Sequence, residues 1–535
     1  MRNHGVTLHL QLKGERHPVP DVPAIYFVEP TEENILRIVS DYKAGMYSYM
    51  HLNFSSSISD SLLQRFGREI AAIQPAPRSQ VTRVIDRYCS FISLDQTTYS
   101  LNHQSTYYNL HRSGISDREI EALIERSSLS LLSVILTTIK QVPVIRAASN
   151  GPAAMVAQNL HDKLVALVNS PAGPHLFSST AAVSADPSHA QRPLLIILDR
   201  DLDLTPMVAH AWSYAGLCSD LLGMELNKLS IPKENKHYDI DQSESFWKNN
   251  AHLPFPEAAT AVNELVNEFS RIRVQVTADD SGLTSAVSAL PQVTEMKRTV
   301  DMHTTIATSL LNEVKARQID RYFELERDAN LNGLMQLLAE PGTGPQIMDR
   351  IRTAMFIILR KENFPASKID QIISQFVSSD SPVNALKYVK YLVGLRAVAA
   401  SPPSASVSPQ VVLPGMLEKM RTRGEGLLAA GMKNLKNILP VNENFVVTNT
   451  VQQVADQTVN ALTESFLYFD PKNANSSVRV RGSFRQVLVC VVGGGCVLEA
   501  ENVHAWALKT GRTVVYGASD FPNPTWFIND LAKLS

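Results

Sequence analysis

Three carboxylates, Asp199, Asp201 and Asp203, stand at alternate positions directly behind the apolar run 194–198. Such a run reads as a strand buried on both faces, the pattern of a central strand in a parallel sheet. Residues just past it lie at the carboxyl end of the sheet, where open α/β folds place ligands. Acids so placed have the chemistry of a nucleophile, of a proton donor to a leaving group and of Mg2+ ligands. Asp201-Leu-Asp203-Leu-Thr205 follows the order of a phosphoaspartate-forming site. Asp279 and Asp280 would be its later metal-binding carboxylates, and Lys228 or Lys233 the cation that neutralises the intermediate.

Register speaks against this Mg2+-dependent, haloacid-dehalogenase-like phosphohydrolase. Its nucleophile should follow the strand directly, and that residue is Asp199, which puts the 201 register two residues too far out. Residues 271–276 alternate and read as half exposed, which does not suit a second central strand. The simpler reading has the acids capping the following helix and pairing with Arg200.

The elements that position this segment need a large protein, and 535 residues give room for about three or four domains. Fifty basic against 52 acidic side chains leave a net charge of -2, so no global attraction to nucleic acid or anionic membrane is expected. Cys89, Cys218, Cys490 and Cys496 show neither metal-ligand nor disulfide spacing, and read as buried thiols of a reducing compartment. There is no apolar signal core and no uninterrupted 18-residue apolar span. A soluble chain is therefore expected, reaching membranes only through partners.

In chain order, residues 24–28 read as a buried strand, Pro30-Thr31-Glu32-Glu33 as a helix start with acids in its first turn, 47–52 as a strand and 58–70 as a helix. The opening sheet is short, as if a leading strand were missing. Pro75-Ala-Pro77 marks a boundary. Val81, Val84, Ile85 and Tyr88 then fall at helical spacing, and helices are expected over 117–139, 153–168 and 208–222. Residues 257–400 read as mostly helical, with the longest stripe over 301–325 through Met302, Ile306, Leu310 and Val314; His303 beside it reads as structural. Residues 396–410 are low in complexity, and 419–436 form a basic solvated face without interleaved aromatics. The end returns to α/β grammar, with buried strand 484–492, Gly493-Gly-Gly495, a helix over 499–508, a strand over 512–516 and a last helix over 525–534. The glycines fail the dinucleotide and P-loop fingerprints, so no nucleotide site is read there.

Two buried strand sets, 194–198 and 486–492, flank the helical middle, and a sheet shared by the two sides of an insertion explains this economically. That arrangement, together with Val22-Pro-Ala-Ile-Tyr-Phe-Val-Glu-Pro30, Leu198-Asp-Arg-Asp-Leu-Asp-Leu-Thr-Pro206, Val300-Asp-Met-His-Thr-Thr-Ile-Ala-Thr308 and Val491-Val-Gly-Gly-Gly495, resembles the SM family (Sec-one/Munc-eighteen). The motifs are most similar to its member acting between endoplasmic reticulum and Golgi. The combination is specific where each motif alone is weak, and it spans nearly the whole chain. The resemblance implies a multidomain α/β arch. A first parallel-sheet domain would cover 1–78, a second 79–240 together with 446–535, and a large, mostly helical third would be inserted at 241–445.

By the same resemblance the protein is no enzyme and carries no cofactor or metal. It would be a monomeric SNARE- and syntaxin-binding regulator that promotes SNARE complex assembly and vesicle fusion. Its place would be the cytoplasm, peripherally on endoplasmic reticulum and Golgi membranes. A Golgi syntaxin would bind through its N-terminal peptide on the outer face of the first domain, at the positions of Leu62, Leu63, Phe66, Val84 and Tyr88, a peptide aromatic entering between two helical stripes. Burial in the domain's own core is the competing reading of each. The exposed side of the helix from Asp301 would meet assembling SNARE helices, and the three aspartates would only brace their loop.

Overall fold

A computed structural model describes residues 5–74, 79–177, 192–278, 283–342, 344–361, 364–376, 381–399, 444–473, 479 and 482–535. Asp279, Asp280 and the segments 178–191 and 400–443 therefore lie outside the described residues, as do the basic stretch 419–436 and most of the low-complexity one. The chain divides into two compact units of interleaved sequence: Met1–Ser93, Asp117–Ile197 and Ala455–Leu488 in the first, Leu94–Ser116, Leu198–Val454 and Val489–Ser535 in the second.

The first unit opens with β1 (Ala24–Val28), a helix Glu32–Lys43, β2 (Tyr49–Phe54), a helix Asp60–Ala71 and β3 (Gln80–Asp86), whose strands pair in parallel in the order β1-β2-β3. Thr31 and Ser59 cap the two helices by accepting from Asn34 N and Leu62 N. Ile35, Ile38 and Phe66 from the helices meet Tyr26, Met50, Leu52 and Phe54 from the strands in one buried cluster. This sheet continues past residue 78 to Asp86.

The helix expected after residue 81 is instead β3, and a bulge explains the misreading. Met50 pairs with Val81 but His51 pairs with Arg83, so Thr82 is an extra residue. Val81 and Val84 thereby lie on one side of the sheet three positions apart, which imitates helical spacing.

Short strands β4 (Ile92–Ser93) and β5 (Thr98–Ser100) follow, then β6 (Val144–Ala147), β7 (Leu194–Asp199), and a separate antiparallel hairpin of β8 (Lys228–Ile231) and β9 (Lys236–Asp239). β10 (Leu467–Phe469), β11 (Gln486–Val492) and β12 (Thr513–Ala518) complete a seven-stranded sheet ordered β10-β6-β7-β11-β12-β5-β4. The two long apolar runs of the sequence are thus neighbouring strands. Residues 194–198 are fully buried, as a central strand requires. Helix Asp117–Val134, extended by a wide turn to Ile139, is apolar and long enough to cross a membrane. Its Ile124, Leu131, Val134 and Ile135 are buried, and it packs on helix Pro152–Val168 as a core element.

The second unit is mostly helical, and two of the helices expected from sequence are broken in it. The helix expected over 208–222 is two, Thr205–Val208 and Tyr214–Leu221. Between them Arg352 donates to the Val208 and Ala209 carbonyls, and Ser213 caps the second. The stripe of 301–325 is also divided: helix Leu283–Arg317 ends, Gln318 takes a left-handed φ of 59°, and Ile319–Arg327 begins. Ile306, Leu310 and Val314 are buried as expected.

Arg200, expected to pair with the acids around it, turns inward. It donates to both carboxylate oxygens of Glu499, at 2.7 and 2.9 Å, and to the Gly494 carbonyl at 3.2 Å, while the Tyr516 hydroxyl donates to Glu499 at 2.5 Å. Neither member of the ion pair is exposed. Burial penalises the guanidinium charge, but Glu499 outweighs that penalty and raises its pKa. The glycine run is steric: a Cβ at Gly493 would lie 2.8 Å from Arg200 Cβ, and one at Gly495 2.6 Å from the Tyr516 hydroxyl.

A second buried charge network centres on His210, whose Nδ1 lies 2.6 Å from Glu326 and Nε2 3.3 Å from Asp349. Burial and Arg352 oppose the imidazolium, and the two carboxylates prevail, raising its pKa. Burial likewise opposes ionisation of Asp349, but His210 and Arg317 pull its pKa well below the usual range.

Two outcomes follow from these networks. Glu499→Ala leaves Arg200 buried and unpaired and should destabilise the chain by about 3–5 kcal/mol in urea unfolding, whereas Arg200→Met with Glu499→Leu should recover most of that loss. For His210, the raised folded pKa means its contribution is complete below the unfolded value of 6.5 and lost as pH rises through the folded one; for Asp349 it is lost as pH falls below 3.8. The urea midpoint should therefore fall on the alkaline side, and His210→Gln should flatten that limb.

Candidate functional site

The acidic series at the end of β7 divides its side chains among separate protein donors. Asp203 Oδ1 accepts from the Thr205 backbone N at 2.8 Å, a local turn contact rather than the expected helix cap, since the cap position of helix Thr205–Val208 is Leu204. Asp201 accepts from the Tyr107 hydroxyl at 2.7 Å and lies 2.9 Å from His111 Nε2, both on helix Thr106–His111. Burial works against its charge, yet His111 lowers its pKa, and Asp201 in turn raises that of the imidazole against the cost of burial. Asp201 and Asp203 are thus held by donors on different elements and are not brought to one shared centre. Residues 271–276 lie inside helix Phe255–Ala278 and bring no second catalytic strand.

The five expected peptide-binding positions all lie in the first unit, on a helix, an edge strand and the turn after it rather than on two helices. Leu62, Leu63 and Phe66 project from helix Asp60–Ala71. Val84 sits on edge strand β3 opposite Leu52, and so on the side of the sheet that carries the core. Tyr88 follows the strand in a left-handed turn with φ 50°; burial raises its phenol pKa against a hydrogen bond to Ser57. That end is pinned by Asp86, which accepts from Ser57 Oγ at 3.1 Å and Ile58 N at 3.3 Å.

Exposure separates the five. Phe66 is 5% exposed and belongs to the core, Leu62 is partly buried against it, and Leu63 and Val84 are 38% and 39% exposed. Leu63 on the helix and Val84 on the edge strand thus each leave apolar surface exposed, while Leu62 packs against the core. Ile70 and Val81 are partly buried against it too. Val81 has the same register as Val84, a signal legible only once β3 is known to be a strand.

On helix Leu283–Arg317 of the second unit, Arg298, Asp301, Thr308, Asn312 and Lys315 form an exposed stripe opposite the buried Ile306, Leu310 and Val314. His303 is fully buried, 3.0 Å from the Tyr214 hydroxyl and 3.1 Å from Glu244, which is the structural role its position suggests.

A parallel sheet assembled from both sides of a helical insertion, preceded by a small parallel β/α unit, is the architecture of the SM proteins. The structure of Sly1p in complex with an N-terminal peptide of Sed5p matches it with a TM-score of 0.79 at 29% identity, over 98% of this chain and 86% of that one. The Sec1 family model matches residues 1–530, and the chain belongs to the Sec1 family. The SEC1 family transport protein SLY1 of Oryza sativa subsp. japonica is 33% identical over 566 residues, covering 100% of this chain and 87% of the relative. Sec1 family domain-containing protein 1 of Homo sapiens is 31% identical over 586 residues, covering 100% and 90%.

The exposures predict different fates for substitutions in the groove. Phe66→Ala should cost about 3–5 kcal/mol in chemical denaturation, while Leu63→Asp and Val84→Asp should stay within about 0.5 kcal/mol of the parent. The two flank variants are thus the ones that can report on binding without unfolding the domain.

Proposed function

We propose that this protein is a non-enzymatic SNARE- and syntaxin-binding regulator that promotes SNARE complex assembly and vesicle fusion in transport between endoplasmic reticulum and Golgi. It acts from the cytoplasm as a monomer, and meets those membranes through the SNAREs it holds. The observation that carries the reading is the likeness, over 98% of the chain, to Sly1p bound to an N-terminal peptide of Sed5p. A first domain, a second made of 79–240 with 446–535, and a third at 241–445 belong to the same reading, except that the first domain expected to end at 78 has to include β3 and so reach Asp86.

An N-terminal syntaxin peptide would place an apolar side chain between Leu63 and Val84, against Leu62 and the edge of Phe66, with Tyr88 at the end of the groove. A few well-packed anchors suffice for such an interface. The polar stripe on helix Leu283–Arg317 suits a second partner, because hydrogen-bonding and charged groups fix register more than they add affinity. Holding one SNARE by its peptide raises the effective concentration of its helix at that stripe, which turns a many-body assembly into a nearly unimolecular one.

Calorimetric titration with an N-terminal peptide of a Golgi syntaxin tests the reading. Saturable one-to-one binding is expected, weakened at least about tenfold by Leu63→Asp or Val84→Asp. A folded chain that gives no heat, or variants that bind as well as the parent, would sink it.

A further inference from the structure

Helix Thr106–His111 of the second unit is six residues long, and helices this short are not stable by themselves in water. It begins at Ser105, a non-glycine residue in the left-handed region with φ 54°, and no side chain caps it. Its place therefore depends on tertiary contacts, and the groups that make them at its two ends both titrate.

At the carboxyl end both ring nitrogens of His111 face acceptors. Nδ1 lies 2.8 Å from the Tyr107 carbonyl and Nε2 2.9 Å from Asp201 Oδ2. A neutral imidazole has one N–H and can serve only one of them, so the geometry calls for the imidazolium. The ring stacks on Tyr107 at 4.2 Å. The Tyr107 hydroxyl donates to Asp201 Oδ1 at 2.7 Å and lies 3.2 Å from that of Tyr388. These contacts join the short helix to the turn after β7 and to helix Asn384–Ala399, whose Arg396 donates to the Asp201 carbonyl at 3.3 Å. Asp199 adds a favourable charge, and Arg112, Lys387, Tyr391 and Lys533 line the same cleft. The His111 side chain is 26% exposed, so protons reach it from solvent.

At the amino end Ser105 N donates to Asp520 Oδ2 at 2.8 Å. Asp520 is 6% exposed, and its Oδ1 is buried without a hydrogen-bond partner among the described residues. The charge that acts on it is a second acid, Asp530, whose own partner is Lys533. Burial, opposed by the Ser105 bond and reinforced by Asp530, pushes the Asp520 carboxyl up to about 7.

We propose that helix Thr106–His111 is a pH-operated strap, latched while His111 is an imidazolium and Asp520 is protonated, and released as both lose their protons. Loss of the His111 proton sets a bare ring nitrogen against the Asp201 carboxylate or the Tyr107 carbonyl. Loss of the Asp520 proton leaves an anion in the interior, which is hydrated once the helix lifts. The two effects have one sign. Burial opposes the imidazolium and Asp201 outweighs it, raising the His111 pKa, so its contribution is full below 6.5 and lost as pH rises through the folded value. For Asp520 the latched state weakens as pH climbs from 3.8 to about 7. Release bares Asp201 and the Tyr388 hydroxyl. The strap is independent of syntaxin recognition.

Hydrogen exchange of the full chain, read by mass spectrometry and corrected for the intrinsic rate, tests this. Amides of 105–112 should be less protected than those of β7, the mark of local opening, and their protection should fall at least about tenfold from about pH 6 to about pH 8. Asp520→Asn keeps an acceptor for Ser105 and His111→Gln a donor for Asp201; each should reduce that fall, and the double variant should abolish it. Protection of β7 shows in the same experiment that each variant is folded. Protection of 105–112 that does not change with pH, that equals the protection of β7, or that falls as far in both single variants as in the parent would overturn the proposal.

Discussion

The Arg200–Glu499 ion pair joins residues 299 apart in sequence, and the architecture depends on it. A guanidinium with no exposed surface is tolerable only beside an opposite charge with good geometry, and that charge lies beyond the helical insertion. Arg200 follows β7, while Glu499 stands on the helix after β11. The pair can form only when those two strands are neighbours, so it ties the local turn after β7 to closure of the insertion. The surrounding residues obey the same constraint. Gly493 leaves room for the Arg200 stem, Gly495 for the Tyr516 hydroxyl, and Tyr516 completes the carboxylate's hydrogen bonds.

Once Arg200 is committed inward, the neighbouring aspartates must find other partners, and they do so locally. Asp203 accepts from a backbone N–H, and Asp201 holds a tyrosine and a histidine from helix Thr106–His111. Polar groups that look reactive in sequence are thereby spent on positioning. The same economy holds around Asp349, whose attraction for both His210 and Arg352 offsets part of the cost of burying them, while Arg352 also covers the carbonyls of a broken helix.

The proposed peptide site would place its own demand on the first unit. A parallel sheet usually has both faces covered, but a recognition edge has to remain open to a partner. β3 meets this with a bulge that keeps Val81 and Val84 on the core side while the strand stays at the edge of its sheet. Phe66 secures the helix from below, which leaves Leu63 free to face outward. Rigidity beneath and exposure above are what a preformed peptide site requires.

Local periodicity and composition by themselves determined the long apolar strands 194–198 and 486–492, the helix start at Thr31, and the buried face of the helix through Ile306 and Leu310. Each of these is written in neighbouring residues, so hydrophobic pattern and capping chemistry make it legible. The motif combination also pointed to the family that the whole-chain match shows. Tertiary structure alone decided the rest. The strand at Val84 looked helical because a bulge counted against a partner strand sets its spacing. The stripe over 301–325 was divided by a left-handed Gln318, and the helix over 208–222 was opened by Arg352 from a distant helix. Arg200 chose Glu499 over adjacent aspartates, since a buried charge is satisfied by what lies beside it in space. Of the five groove residues, sequence marked all as apolar, but only packing separated the core Phe66 from the exposed Leu63 and Val84.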